Sequence, residues 1–258
     1  MAELVVEAGS LPPPYVEAIA VKGSASLVER AGRAFPDTFY ISPYSPDSST
    51  KWVLSEYKHQ ILYAISRREH PQGNKPDVII HDGLSLKDAT FASFRFIDGS
   101  PKMWKVRLPP RSAEPEAGFE LVSAGNDWRA QKRPVFKFAI ETDVSGRREH
   151  FEWRSSNNDN IRRALGGGQS LGWKLVRLAQ DAFTDELAGP RGAWPKTTDG
   201  AEIVAVFSGD EHGPHGDWRF AFLGTGRSRI LGWTWEVMAV TSALIIMDSG
   251  LKVGGETS

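Results

Sequence analysis

Cysteine is absent from this chain of 258 residues, which excludes a disulfide framework, a thiolate nucleophile and any cysteine-ligated metal. No Asn-x-Ser/Thr acceptor for glycosylation occurs either. The first ten residues, Met1 to Ser10, lack both a basic start and a long apolar core, so no secretory leader is expected there. Several catalytic signatures are also missing: His-Glu-x-x-His, a kinase set and an EF-hand calcium loop. An excess of one charge is lacking too. Lys and Arg number 31 against 32 Asp and Glu, and a net charge of −1 predicts no global attraction to nucleic acid. By elimination these absences lead to an expectation of a cytoplasmic protein, with no cofactor and no reaction that can be named from motifs.

Long apolar runs are scarce, and the one present organises the rest. Ile230 to Met247 carries a single charge, Glu236, and its apolar side chains recur all round a helix. Such a helix has no face to offer water and must be enclosed by protein or lipid. Eighteen helical residues span about 27 Å, marginal for a hydrocarbon core of about 30 Å. An acid there would cost up to ~3 kcal/mol in lipid, and Thr234, Thr241 and Ser242 dilute the hydrophobicity. Gly232, Ala239 and Ala243 suit close packing. Enclosure by protein is therefore expected, with no integral membrane span.

Upstream, short β-rich runs recur between turn signals: 51–56, 60–66, 77–81, 90–97, 102–108, 134–142, 147–154, 171–178, 201–207 and 217–223. Several alternate. Trp104, Val106 and Leu108 face one way and Lys105 and Arg107 the other, while Phe136, Phe138 and Ile140 oppose Lys137. Regular strands closed by one apolar helix predict a mainly β fold, a closed antiparallel barrel of about twelve strands around a buried C-terminal helix. Residues 1–50, rich in Pro and Ser, are expected to form an irregular lead-in, 51–250 the barrel, and 251–258 a flexible tail. One helical turn is expected near Asn160–Leu165.

Four motifs bear on chemistry. Pro12, Pro13 and Tyr15 complete a Pro-Pro-x-Tyr pattern, the ligand type of WW domains, set against a proline-rich segment with a chance tyrosine. His212 and His215, beside Asp210, Glu211 and Asp217, have ligand chemistry but read first as a polar Gly/Pro loop. Gly224-Thr-Gly226 opens a phosphate-loop template that fails at Arg229. His81-Asp82-Gly83 closes a strand as a turn.

The wording of three stretches, His81-Asp82-Gly83, Phe151-Glu152-Trp153-Arg154 and Gly172-Trp173-Lys174-Leu175-Val176-Arg177-Leu178, together with the closing helix, resembles the tubby C-terminal-like superfamily over about residues 50–250. That family includes tubby proteins, phospholipid scramblases and plant LURP-one-related proteins, and the wording is nearest to its fungal members. The resemblance implies a twelve-stranded barrel threaded by the helix, and binding of phosphoinositide or another anionic membrane surface without catalysis. Residues 102–177 carry 15 Lys and Arg against 9 Asp and Glu, whereas the remainder carries 16 against 23. With that local excess, the resemblance makes Lys105, Arg107, Lys137, Arg147, Arg148 and Lys174 the candidate lipid contacts, for a protein peripheral to the membrane. A WW-ligand adaptor and an enzyme using the barrel mouth are the alternatives.

Overall fold

The computed structural model of the chain describes residues 35–44, 50–57, 60–68, 76–98, 102–110, 118–127, 133–157, 159–167, 172–178, 195–209 and 216–249. Twelve strands follow one another: β1 (Thr38–Pro43), β2 (Thr50–Ser55), β3 (Ile61–Arg67), β4 (Val78–His81), β5 (Thr90–Phe96), β6 (Met103–Arg107), β7 (Phe119–Asp127), β8 (Arg133–Glu141), β9 (Arg148–Ser156), β10 (Gly172–Arg177), β11 (Glu202–Gly209) and β12 (Trp218–Phe222). Each pairs antiparallel with its sequence neighbours, and β1 closes the circle on β12 through Phe39↔Phe220, leaving a closed barrel. Closure removes the unpaired edges that would otherwise template aggregation. Helix α1 (Asp159–Ala164) lies outside the wall, its Ile161 packed with Leu165 on Ile203, Val206 and Ala221. Helix α2 (Gly224–Arg227) leads to α3 (Trp233–Asp248).

Helix α3 fills the barrel. Every residue from Trp235 to Ile246 is buried, on all sides of the helix, as the uniform apolar circumference requires. Around it stand the inward side chains of the alternating strands: Trp104 and Val106, Phe136, Phe138 and Ile140, Phe151 and Trp153, Trp173 and Leu175. Trp235 sits between the Phe151 and Phe222 rings, with centroids 5.7 and 5.8 Å away. Such tilted aromatic contacts each add about 0.5–1.5 kcal/mol beyond area burial. The helix begins three residues later than the apolar run because Gly232, at φ 91°, breaks the backbone there. A Cβ on Gly232 would also collide with the Asp143 carboxylate, so both conformation and space demand glycine.

Two neighbouring helix positions make a paired prediction. Ser242 Oγ donates to Ala239 O and accepts from Trp153 Nε1, each at 2.9 Å. Ser242→Ala leaves that indole donor buried and orphaned, and should destabilise by about 1–3 kcal/mol. Thr241, equally buried, has a hydroxyl with no hydrogen-bond partner. Thr241→Val removes that group at nearly constant shape and should stabilise by about 1 kcal/mol. Urea unfolding of the two variants checks the opposite signs; two shifts in the same direction would contradict this packing.

Ten of the twelve strands coincide with the expected runs. The other two, β1 and β7, correct the expectation. Strand β1 falls inside the supposed lead-in of residues 1–50, so the barrel starts before residue 51, and Phe35 is already core. Pro43 is tolerated because it ends the strand, where only a terminal ladder bond is forgone. The supposed tail, 251–258, lies outside the described residues.

A basic groove on the outer wall as candidate functional site

On the outward face of β5 and β6, Ser93 stands opposite Arg107 and Arg95 opposite Lys105. Antiparallel register places the four as a square of cross-strand and i, i+2 neighbours, with three corners cationic. The pairing of Arg95 with Lys105 concentrates positive charge on this face. A groove of about 410 Å³ opens over the square, and Arg68, Pro76, Ile79 and Thr90 extend its lining along β3 to β5. Among the described lining residues four are basic (Arg68, Arg95, Lys105 and Arg107) and none is acidic. Phe119, opposite Arg107 on β7, forms one wall, and the Lys105 ammonium lies 3.9 Å from its ring centroid. A cation over an aromatic face is held in place without being neutralised.

The groove thus gathers two of the six expected contacts, Lys105 and Arg107, and adds Arg68 and Arg95. The other four lie elsewhere. Arg148 donates to the Glu120 carboxylate from both terminal guanidinium nitrogens, Nη1 and Nη2. Lys137 pairs with Glu152 at 3.3 Å, and Glu152 also accepts from Arg154 Nε at 3.0 Å. Arg154 reaches Asp199 at 3.1 Å. Lys174 stands opposite Arg154 on the next strand. Burial holds its ammonium below the ordinary lysine range; repulsion from Arg154 adds to this and Asp199 offsets it in part. Arg147 is exposed on the β8–β9 hairpin. Lys137, Arg148 and Lys174 thus lie among carboxylates of the wall, and the groove does not gather all six.

A second polar cluster is largely buried. Arg177, 3% exposed, donates from Nε to Glu149 Oε2 at 2.6 Å and from Nη2 to Glu149 Oε1 at 2.9 Å. Thr142 Oγ1 donates to the same carboxylate at 2.6 Å. On its other side Arg177 lies 3.7 Å from Glu202, which accepts Thr225 N–H at 2.6 Å and Thr225 Oγ1 at 3.0 Å at the start of α2. Burial alone would raise the Glu149 carboxyl, but the bonds from Arg177 and Thr142 outweigh it and hold it below the ordinary range. Burial wins at Glu202, whose carboxyl is raised despite Thr225 and Arg177. The cluster ties the β8–β9 hairpin, β10, β11 and α2 together where α3 begins, a structural duty.

The strand-end histidine has a similar duty. His81 Nε2 meets Ser66 Oγ at 2.8 Å, and Nδ1–H donates to the Asp88 carbonyl at 3.3 Å, binding β3, β4 and the following turn. Gly224-Thr-Gly226 holds the Glu202 carboxylate rather than a phosphate. Among the described residues no group of three or more His, Asp and Glu could hold a metal ion, and no helix is long and apolar enough to cross a membrane. Pro12, Pro13, Tyr15, His212 and His215 lie outside the described residues. No protein-family model, curated protein or solved structure matches the chain.

Proposed function

We propose that this barrel binds phosphorylated, anionic head groups at a membrane surface through the groove over Arg68, Arg95, Lys105 and Arg107. The observation that carries this reading is the convergence of these four basic side chains on one groove whose described lining holds no acidic residue. Arginine forks match phosphate oxygens in pairs, and lysine adds a point charge. The superfamily resemblance implies the same ligand class, with phosphoinositide as its most highly charged member. The role is one of binding and positioning, with no catalytic step.

Each basic residue near an anionic surface contributes about 1 kcal/mol. A Lys105→Ala/Arg107→Ala double variant should therefore bind anionic vesicles roughly thirtyfold more weakly. Lys137→Ala, whose ammonium is occupied by Glu152, should bind as the wild type does. Co-sedimentation with phosphatidylcholine vesicles, with and without phosphoinositide, reads both outcomes. Equal pelleting on the neutral and anionic vesicles would remove the proposal, as would equal losses in the Lys137 and Lys105/Arg107 variants.

A further inference from the structure

Beside the cationic square the wall turns apolar. Phe119 is 57% exposed and Leu121 is 48% exposed, and the β6–β7 register sets them directly opposite Arg107 and Lys105. Two large apolar side chains thus border two cations as a parallel strip on the same outward face. Glu120, between them in sequence, is bound by Arg148 of β9, so the strip is pinned from behind. The β7–β8 pairing begins only at Val122↔Phe138, which leaves Phe119 to Leu121 laddered to β6 alone. Both side chains are about half exposed, Phe119 with the Lys105 ammonium over its ring, and the adjoining charge fits an anionic partner.

Resting on the head-group reading above, we infer that Phe119 and Leu121 penetrate the acyl boundary of an anionic bilayer while the groove takes its head groups. The basic strip and the apolar strip then act at different depths, as in interfacial segments that combine apolar burial with attraction to anionic lipid. Insertion fixes the orientation of the barrel, with the β5–β7 wall against the membrane and α1, on the β10–β11 wall, directed away. Capture of a soluble phosphate compound would engage the cations and leave the apolar strip in water. The two components also separate by salt, because screening weakens the charge contribution and leaves apolar burial intact.

The lack of cysteine makes the test direct. Leu121→Cys, labelled with an environment-sensitive fluorophore, should brighten and shift blue when vesicles containing phosphatidylserine are added, and a quencher placed in the acyl region should reduce the signal. The same label at Arg162→Cys, on the exposed face of α1, should not respond. In parallel, Phe119→Ser/Leu121→Ser should bind those vesicles about tenfold more weakly at high salt, where apolar burial dominates. Vesicles that pellet the protein while the Leu121 label stays unchanged would overturn insertion and leave the head-group reading standing. Failure to pellet on anionic vesicles at all would overturn both.

Discussion

Val240→Asp is expected to abolish the folded state. Val240 is fully buried at the middle of α3, with the strand walls on every side. A carboxylate placed there loses its hydration and finds no cation, and even after relaxation the penalty is several kcal/mol. That is comparable with the whole stability of an ordinary domain, about 5–15 kcal/mol. The contrast that gives the experiment its force is Ile245→Val, at an equally buried position, where loss of one methylene should cost only about 0.5–1.5 kcal/mol. Near-ultraviolet circular dichroism and urea unfolding should show the Ile245 variant folded with a slightly lower midpoint and the Val240 variant without tertiary signal. A Val240→Asp protein unfolding at the wild-type midpoint would mean that α3 has a face in solvent and the barrel is not closed around it.

The same helix shows why so much of the fold was legible. A run greasy on all sides constrains its surroundings, since only a surrounding wall can bury it, and ten wall strands announced themselves by alternation or by turn pairs. The two that did not are instructive. Strand β1 lies among Pro36, Pro43 and Pro46, whose locked φ and missing donors read as irregular chain; the barrel uses Pro43 only at a strand end. Strand β7 reads Phe-Glu-Leu-Val-Ser-Ala-Gly-Asn-Asp, poor in strong β-formers after Val122 and holding a glycine. Its conformation comes from β6 and β8 on either side, which is tertiary context overriding local preference.

The candidate site was less legible, for a different reason. A local excess of basic residues counts charges without saying which carboxylates meet them. Glu120 is 28 residues from Arg148 and Asp199 is 45 from Arg154, so neutralisation across the sheet could not be read from spacing. The excess also missed Arg68 and Arg95, which lie before residue 102. The usable signal was a narrower one. Lys105 and Arg107 alternate with buried Trp104 and Val106, and Ser93 and Arg95 belong to the preceding strand. Pairing those two strands in register predicts the cationic square.

The last large effect concerns charge inside the wall. Arg177→Leu removes the cation between Glu149 and Glu202 and leaves one buried carboxylate and one largely buried carboxylate without it. Breaking a buried pair from one side costs about 3–5 kcal/mol, and this loss should appear in full at neutral pH. Its pH dependence follows from the two carboxyls. In the wild type Glu149 is held below the ordinary carboxylate range. Its contribution to stability is therefore present above that range and is lost as pH falls through the lowered folded value. Glu202, raised by burial, acts in the opposite sense: its ionisation weighs against folding as pH rises through the carboxylate range. Without Arg177 both groups are raised, because desolvation remains and the compensating guanidinium is gone. The variant should thus gain stability on acidification through the window in which wild-type Glu149 loses its contribution, and the gap between the two proteins should narrow. Urea unfolding across a pH series measures that gap. A deficit of constant size would show that Arg177 acts through packing of its stem, and a deficit that widened toward acid would reverse the charge assignment. The expected narrowing identifies an ion pair that closes the end of the barrel where α3 starts, separate in position and in purpose from the exposed cations of the groove.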